Sequence, residues 1–248
     1  MFLKIAIMNN SGNVGKSMIC DNLLKPRIPT VETIKIETIN SNGTLDETVS
    51  AKNIKRVFDL IDSSDVAVID VGASNIETFM ENLSKLKGAH EDIDFFFIPT
   101  TPKSKQQIDT ISTVEGLLNL GVDENQIKLI FNFHDNDLTV EQYYPLIFES
   151  ELKSILKLDK KENIFTITDN PVFDMLGEMG TSFIDIANDE RDFKSMIRAS
   201  KDKTERSILS HQRSAQRLAK GFIEELDMTF LKIKNACELE FEGANNGK

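Results

Sequence analysis

Asn9-Asn10-Ser11-Gly12-Asn13-Val14-Gly15-Lys16-Ser17 lies between a short apolar run, Leu3–Met8, and the helix-like stretch Met18-Ile19-Cys20-Asp21-Asn22-Leu23-Leu24. A strand, a glycine loop and a helix in that order make a phosphate site. Consecutive backbone N–H groups turn toward the anion, and the helix offers the positive end of its dipole. Gly12 and Gly15 supply a permissive backbone. Lys16 can reach the β- and γ-phosphates of a nucleotide, and the Ser17 hydroxyl can ligate Mg²⁺. The pattern G-x-x-x-x-G-K-[ST] is met at Gly15-Lys16-Ser17, with Asn10 where its first glycine would stand.

Similar apolar runs recur outward from this loop: 33–39, 66–71, 95–98, 128–133 and 164–167. Helical patterns separate them at 16–25, 50–62, 76–87, 104–120, 140–158 and 172–187. Short continuous apolar runs alternating with helices predict an α/β fold of three layers, a mostly parallel central sheet between helices. After about residue 190 no strand-like run remains, and 191–236 reads as one or two helices. The expected organisation is a nucleotide-binding domain at 1–190, a C-terminal helical extension at 191–236 and a flexible tail at 237–248.

Val66-Ala67-Val68-Ile69-Asp70-Val71-Gly72 supplies the second element of a nucleotide site. An aspartate ending a buried strand beside the loop serine can hold Mg²⁺, and Gly72 can offer an N–H to the γ-phosphate. Asp70 and Ser17 are thus the expected metal residues.

These two stretches resemble the ParA/MinD-like class of deviant-Walker P-loop ATPases, and more narrowly the StbB-type plasmid-stability and conjugation-associated proteins. The resemblance covers about 190 residues. It also takes in Phe97-Ile98-Pro99-Thr100-Thr101-Pro102, the strand Lys128–Asn132, and Thr168–Phe173 with Gly177–Gly180. It implies ATP and Mg²⁺ as cofactors, with phosphate contacts from Ser11, Gly12, Asn13, Val14, Gly15, Lys16, Ser17 and Met18. It implies that Gly72 senses the γ-phosphate and that Asn132 contacts the base. Catalytic roles fall to Lys16, Asp70 and Glu37, the last standing where the class has a water-orienting aspartate. Two departures matter. The signature lysine of the class is Ser11 here, which weighs against fast hydrolysis and the usual nucleotide-sandwich dimer unless Lys35 or Arg27 substitutes. Asn132-Phe133-His134-Asp135 also has the Asn and Asp spacing of a guanine-binding motif, so GTP stays open beside ATP.

The chain has 248 residues and a formal charge of −11. A uniformly acidic surface repels nucleic acid and anionic membranes, but this charge is uneven. Residues 191–220 hold nine basic and three acidic side chains, including Arg206, Arg213 and Arg217, while 1–190 carry −14. Direct DNA contact, if any, belongs to 191–220; the same stretch can also be a solvated face that pairs with the acidic body. Cys20 and Cys237 form no metal-binding spacing, and His90, His134 and His211 read as surface or loop residues. No apolar run reaches the length of about 18 residues that a membrane span needs, and the N-terminus lacks a signal-peptide pattern. The expectation is a cytoplasmic, slow ATPase acting in plasmid stability, partition or conjugative transfer. It would work with a small DNA-binding protein, without a membrane, as a monomer or nucleotide-dependent homodimer. The alternatives are a non-hydrolysing adaptor acting through its C-terminal helices and a P-loop kinase.

Overall fold

The computed structural model describes residues 2–37 and 47–241 and divides into two compact units, 1–168 with 230–248, and 169–229. In the first unit seven strands form one parallel sheet in the order β3-β2-β4-β1-β5-β6-β7. They are β1 (Leu3–Ile7), β2 (Glu32–Ile36), β3 (Glu47–Val49), β4 (Val66–Val71), β5 (Phe95–Thr100), β6 (Ile127–His134) and β7 (Phe165–Thr168). β1 is buried along its whole length between β4 and β5, as its unbroken apolar run requires. The chain passes to one side of β1 for β2 and to the other for β5. The loop after β1 therefore opens at a switch in strand order, where α/β sheets form ligand crevices.

Helices cover the sheet. α1 (Lys16–Met18) runs on as a π-helical stretch, Ile19–Leu24. Then follow α2 (Ile54–Ser63), α3 (Ile76–Lys85), α4 (Ser104–Asn119), α5 (Val140–Tyr143), α6 (Pro145–Glu149) and α7 (Leu152–Ile155). Val57 and Ile61 of α2, Phe79 of α3, Leu117 of α4 and Ile147 of α6 share a core with Ile36, Val71, Phe96 and Phe131 of the sheet.

Three local outcomes differ from the sequence expectation. The 140–158 pattern is three short helices, because Tyr144 leaves the helical region ahead of Pro145 and Ser150 is extended. β3 is a three-residue edge strand, too short and too exposed to leave an apolar signature. The expected second strand keeps its first part as β2, while residues 38–39 lie outside the described residues. Pro99 sits inside β5 without harm. β1 has ended beside it, and the edge is taken over by the Asn9 side chain.

The second unit holds α8 (Val172–Met179), α9 (Phe183–Ala187), α10 (Phe193–Ala199) and the start of α11 (Lys203–Ala236). Phe173, Phe183 and Phe222 meet there with ring centroids 5.5–5.8 Å apart. The 172–187 stretch, expected within the first domain, thus groups with the C-terminal helices through Thr229.

Candidate nucleotide-binding site

The loop after β1 is held open by a polar scaffold. The Asn9 amide donates to the Pro99 carbonyl (2.8 Å) and Thr110 Oγ1 (2.7 Å), and its Oδ1 accepts the Ser11 N–H (2.7 Å). Thr113 Oγ1 accepts the Asn10 N–H (3.1 Å). Gln106 Nε2 donates to the Gly12 carbonyl (3.0 Å), and its Oε1 accepts from Thr101 Oγ1. From the other side Asn132 Nδ2 donates to the Val14 carbonyl (3.0 Å). Asn13 (φ 57°) and Gly15 (φ 91°) take the left-handed conformation that turns successive N–H groups into one concavity. Gly15 has no alternative: a Cβ there would lie 2.2 Å from Asn132 Nδ2.

Lys16 is buried at the start of α1. Its Nζ donates to the Asn9 carbonyl (3.2 Å) and the Ser11 carbonyl (2.9 Å), the loop's own acceptors. Burial lowers its pKa to about 8, opposed by the nearby Asp70 carboxylate. Ser17 Oγ, exposed, donates to Asp70 Oδ2 at 2.9 Å. Asp70 is 3% exposed, and burial raises its pKa against the Ser17 hydrogen bond and the charge of Lys16. An exposed hydroxyl and a carboxylate oxygen at this separation suit a hard dication that takes its remaining ligands from phosphate and water. A buried lysine within a nest of N–H groups suits the phosphates themselves. The donor set therefore fits Mg²⁺ and a nucleotide, with Ser17 and Asp70 for the metal and residues 11–18 for the phosphates. When bound, the ion would neutralise phosphate charge.

Glu37 and Gly72 are neighbours: a Cβ on Gly72 would sit 3.7 Å from Glu37 Cγ. The Gly72 N–H donates to the Ile36 carbonyl (2.9 Å), so sensing a γ-phosphate requires that bond to open. Asn132 is 1% exposed and engaged under the loop, and its Oδ1 has no hydrogen-bond partner among the described residues. Here Asn132 anchors the loop through its Nδ2. Immediately after it β6 bulges. Phe133 takes φ 59° and stands 37% exposed between Asn132 and His134, the two residues bounding the register shift. His134, expected at the surface or in a loop, ends β6 and is buried against Tyr143 and Tyr144.

Serine in place of a signature lysine has a structural counterpart. Ser11 is buried, its N–H given to Asn9 and its carbonyl to Lys16, so no cation projects from that position. Of the two considered substitutes, Arg27 donates to the Asn22 and Leu23 carbonyls at the end of the first helix. Lys35 lies in register with Asp70 on the adjacent strand and weakly opposes the rise that burial causes in that carboxyl's pKa. Cys20 is a packing residue whose buried thiol is pushed upward in pKa. Among the described residues no group of three or more His, Cys, Asp or Glu could hold a metal. No helix among them is long and apolar enough to cross a membrane.

Neither a protein-family model nor a curated protein matches the chain. Solved structures do. A plasmid partition protein from Borrelia burgdorferi bound to AMPPNP matches with a TM-score of 0.50 at 15% identity, over 94% of this chain and 100% of that one. An aspartate-to-alanine variant of Cyanothece McdA in complex with ATP matches with a TM-score of 0.52 at 13% identity, over 97% and 98%. The chain has the fold of the ParA/MinD-like P-loop ATPases. In that fold the crevice after β1 is where the Asn9–Ser17 loop, Asp70 and Asn132 come together. The scaffold of Asn9, Thr100, Thr101, Gln106, Thr110 and Thr113 was not anticipated. Its signal was a run of threonines and glutamines on a face of α4 that is fully buried.

Proposed function

We propose that the chain is a Mg²⁺-dependent ATP-binding switch with slow hydrolysis, acting in plasmid stability, partition or conjugative DNA transfer. The observation that carries this reading is the Ser17–Asp70 pair, 2.9 Å apart, beside a loop that buries Lys16. Lys16 would leave the Asn9 and Ser11 carbonyls for the β- and γ-phosphates. Glu37, beside Gly72, would orient the attacking water, and opening of the Gly72–Ile36 bond would couple the γ-phosphate to the end of β2. Asn132 Oδ1, an acceptor without a partner, faces a base amino group if the loop shifts on binding, and the exposed Phe133 ring offers it a stacking surface. ATP is preferred to GTP on the fold likeness. The partner would be a small DNA-binding protein of the same system, and direct DNA contact would fall on 191–220. The protein would be cytoplasmic, as a monomer or nucleotide-dependent homodimer. Amide hydrogen exchange tests the switch: Mg·ATP should protect residues 9–17 and change exchange at 70–77, whereas ADP should protect only the loop. Identical exchange with and without Mg·ATP would sink it.

A second reading, a nucleotide-binding adaptor without turnover, is favoured by Ser11, which stands where a signature lysine would add a second cation to offset transition-state charge. Phosphate release decides between them. Turnover equal to that of Lys16→Ala, with partners present, selects the adaptor.

A further inference from the structure

At the N-terminal end of the sheet, remote in the strands from the phosphate loop, a groove of about 710 Å³ opens within the first unit. Its charged lining is Lys128, Lys157, Lys160 and Lys232 against Glu162 and Glu238. The side-chain amides of Asn125, Asn163 and Asn235 stand among them. A basic pocket is unexpected in a first unit this acidic, and most of its lysines are not consumed by internal pairing. Lys157 reaches Asn125 Oδ1 (3.3 Å) and, weakly, Glu124 (4.0 Å). Lys128, Lys160 and Lys232 form no ion pair among the described residues.

The backbone gives a second, independent sign. Among the described residues five non-glycine positions have positive φ. Asn13 and Phe133 lie at the nucleotide end; Lys157 (φ 53°) and Glu238 (φ 50°) line this groove. Each follows a helix end whose carbonyls are closed by the next residue, Leu158 N–H to Lys153 (2.9 Å) and Leu239 N–H to Lys234 (2.9 Å). Glycine is the cheap residue at such a position. Here long charged side chains occupy both, at the rim of one groove, and non-glycine residues in this conformation cluster at ligand sites. The closed carbonyls and surrounding lysines also offset the negative dipole ends of these helices.

We propose that the groove binds a small phosphorylated ligand bearing several negative charges, at a site separate from the nucleotide loop. The volume is that of a small-molecule site, typically about 300–1,000 Å³. Four ammonium groups supply point charges for phosphate oxygens; the Asn125 and Asn163 amides already donate to Asp123 and to the Leu156 and Lys157 carbonyls, so directional donors fall to Asn235. Glu162 and Glu238 sit where they can accept from hydroxyl or amino groups of the same ligand. Lys128 is on β6, four residues before Asn132, so the strand that anchors the phosphate loop also carries a groove lysine.

The experiment uses full-length Lys16→Ala protein, which removes the loop lysine, and titrates inorganic tripolyphosphate and ADP in separate arms while amide exchange is read. Protection of 157–163 and 232–238 is expected, with affinity at least about tenfold weaker after Lys160→Glu/Lys232→Glu. Both of those lysines are exposed, and an unchanged circular dichroism spectrum checks the fold. Binding of tripolyphosphate alone assigns an inorganic polyanion; binding of ADP assigns a nucleotide-like ligand. No protection in those segments, or affinity unaffected by the double reversal, overturns the proposal. So does an oligonucleotide or acidic peptide that binds there when neither small probe does. Any of these results leaves the reading of the nucleotide loop untouched.

Discussion

Replacing Gly15 by alanine adds one methyl group at the most crowded point of the phosphate loop, and the structure allows its cost to be worked out in parts. Gly15 has φ +91°, a left-handed conformation that costs a residue with a side chain about 1 kcal/mol. The new Cβ would lie 2.2 Å from Asn132 Nδ2, far inside contact distance, and the neighbour is a buried amide. Asn132 must yield and give up its bond to the Val14 carbonyl, and its Oδ1 is already without a partner. Leaving a buried donor and acceptor unsatisfied costs about 1–3 kcal/mol. Gly15→Ala should therefore destabilise the protein without ligand by roughly 2–4 kcal/mol in urea unfolding. Gly12→Ala, with nothing within 4 Å of the added atom, should stay within about 0.5 kcal/mol. In the double variant Gly15→Ala/Asn132→Ala the steric part vanishes, so the two costs should fall short of additivity by at least about 1 kcal/mol. A harmless Gly15→Ala, or strict additivity, would refute the claim that Asn132 anchors the loop.

Asp70→Asn separates metal binding from fold. Burial raises the Asp70 pKa above its ordinary 3.8, so its ionised form costs stability above that pH and nothing well below it. Without ligand the Asn variant should match or exceed wild type in stability at pH 7, lose any gain as pH falls through the raised Asp70 pKa toward about 4, and lose Mg²⁺-dependent ATP binding; unchanged Mg²⁺ dependence contradicts the metal assignment. Lys16, with its pKa lowered to about 8, is partly neutral near pH 8 and must be charged to hold phosphate. ATP binding near pH 8 should therefore take up protons, read from calorimetry in buffers of different ionisation enthalpy, and no buffer dependence would count against the lysine's role. The chain has no tryptophan, so Phe133→Trp gives a single emission reporter. ATP should change its emission and inorganic tripolyphosphate should not; equal responses remove the ring from the base site.

Apolar runs at Leu3–Met8, 66–71 and 128–133 carried the sheet, because strands covered on both faces have little polar alternation to obscure them. The loop, Asp70 and Ser17 were legible because phosphate chemistry restricts residue type at fixed spacing. The edge strand Glu47–Val49 was not, being short and polar. The breaks at Tyr144 and Ser150 were signalled only by Pro145. The anchoring role of Asn132 has no local sequence signal, because it rests on the packing of Gly15 against it and its bond to the Val14 carbonyl. The grouping of α8 and α9 with later helices depends on aromatic contacts between residues some fifty positions apart, Phe173 and Phe222, which no local pattern encodes.

Isothermal titration of ATP into proteins with Lys16 and with Lys16→Ala, in the presence and absence of Mg²⁺, bears most directly on the nucleotide site. With the groove lysines reversed by Lys160→Glu/Lys232→Glu, the protein should bind ATP at one site per chain, more tightly with Mg²⁺, and adding Lys16→Ala should weaken binding by at least about tenfold. Equal heats for the two proteins, or no binding to either, would contradict a nucleotide site built on the Asn9–Ser17 loop and Asp70.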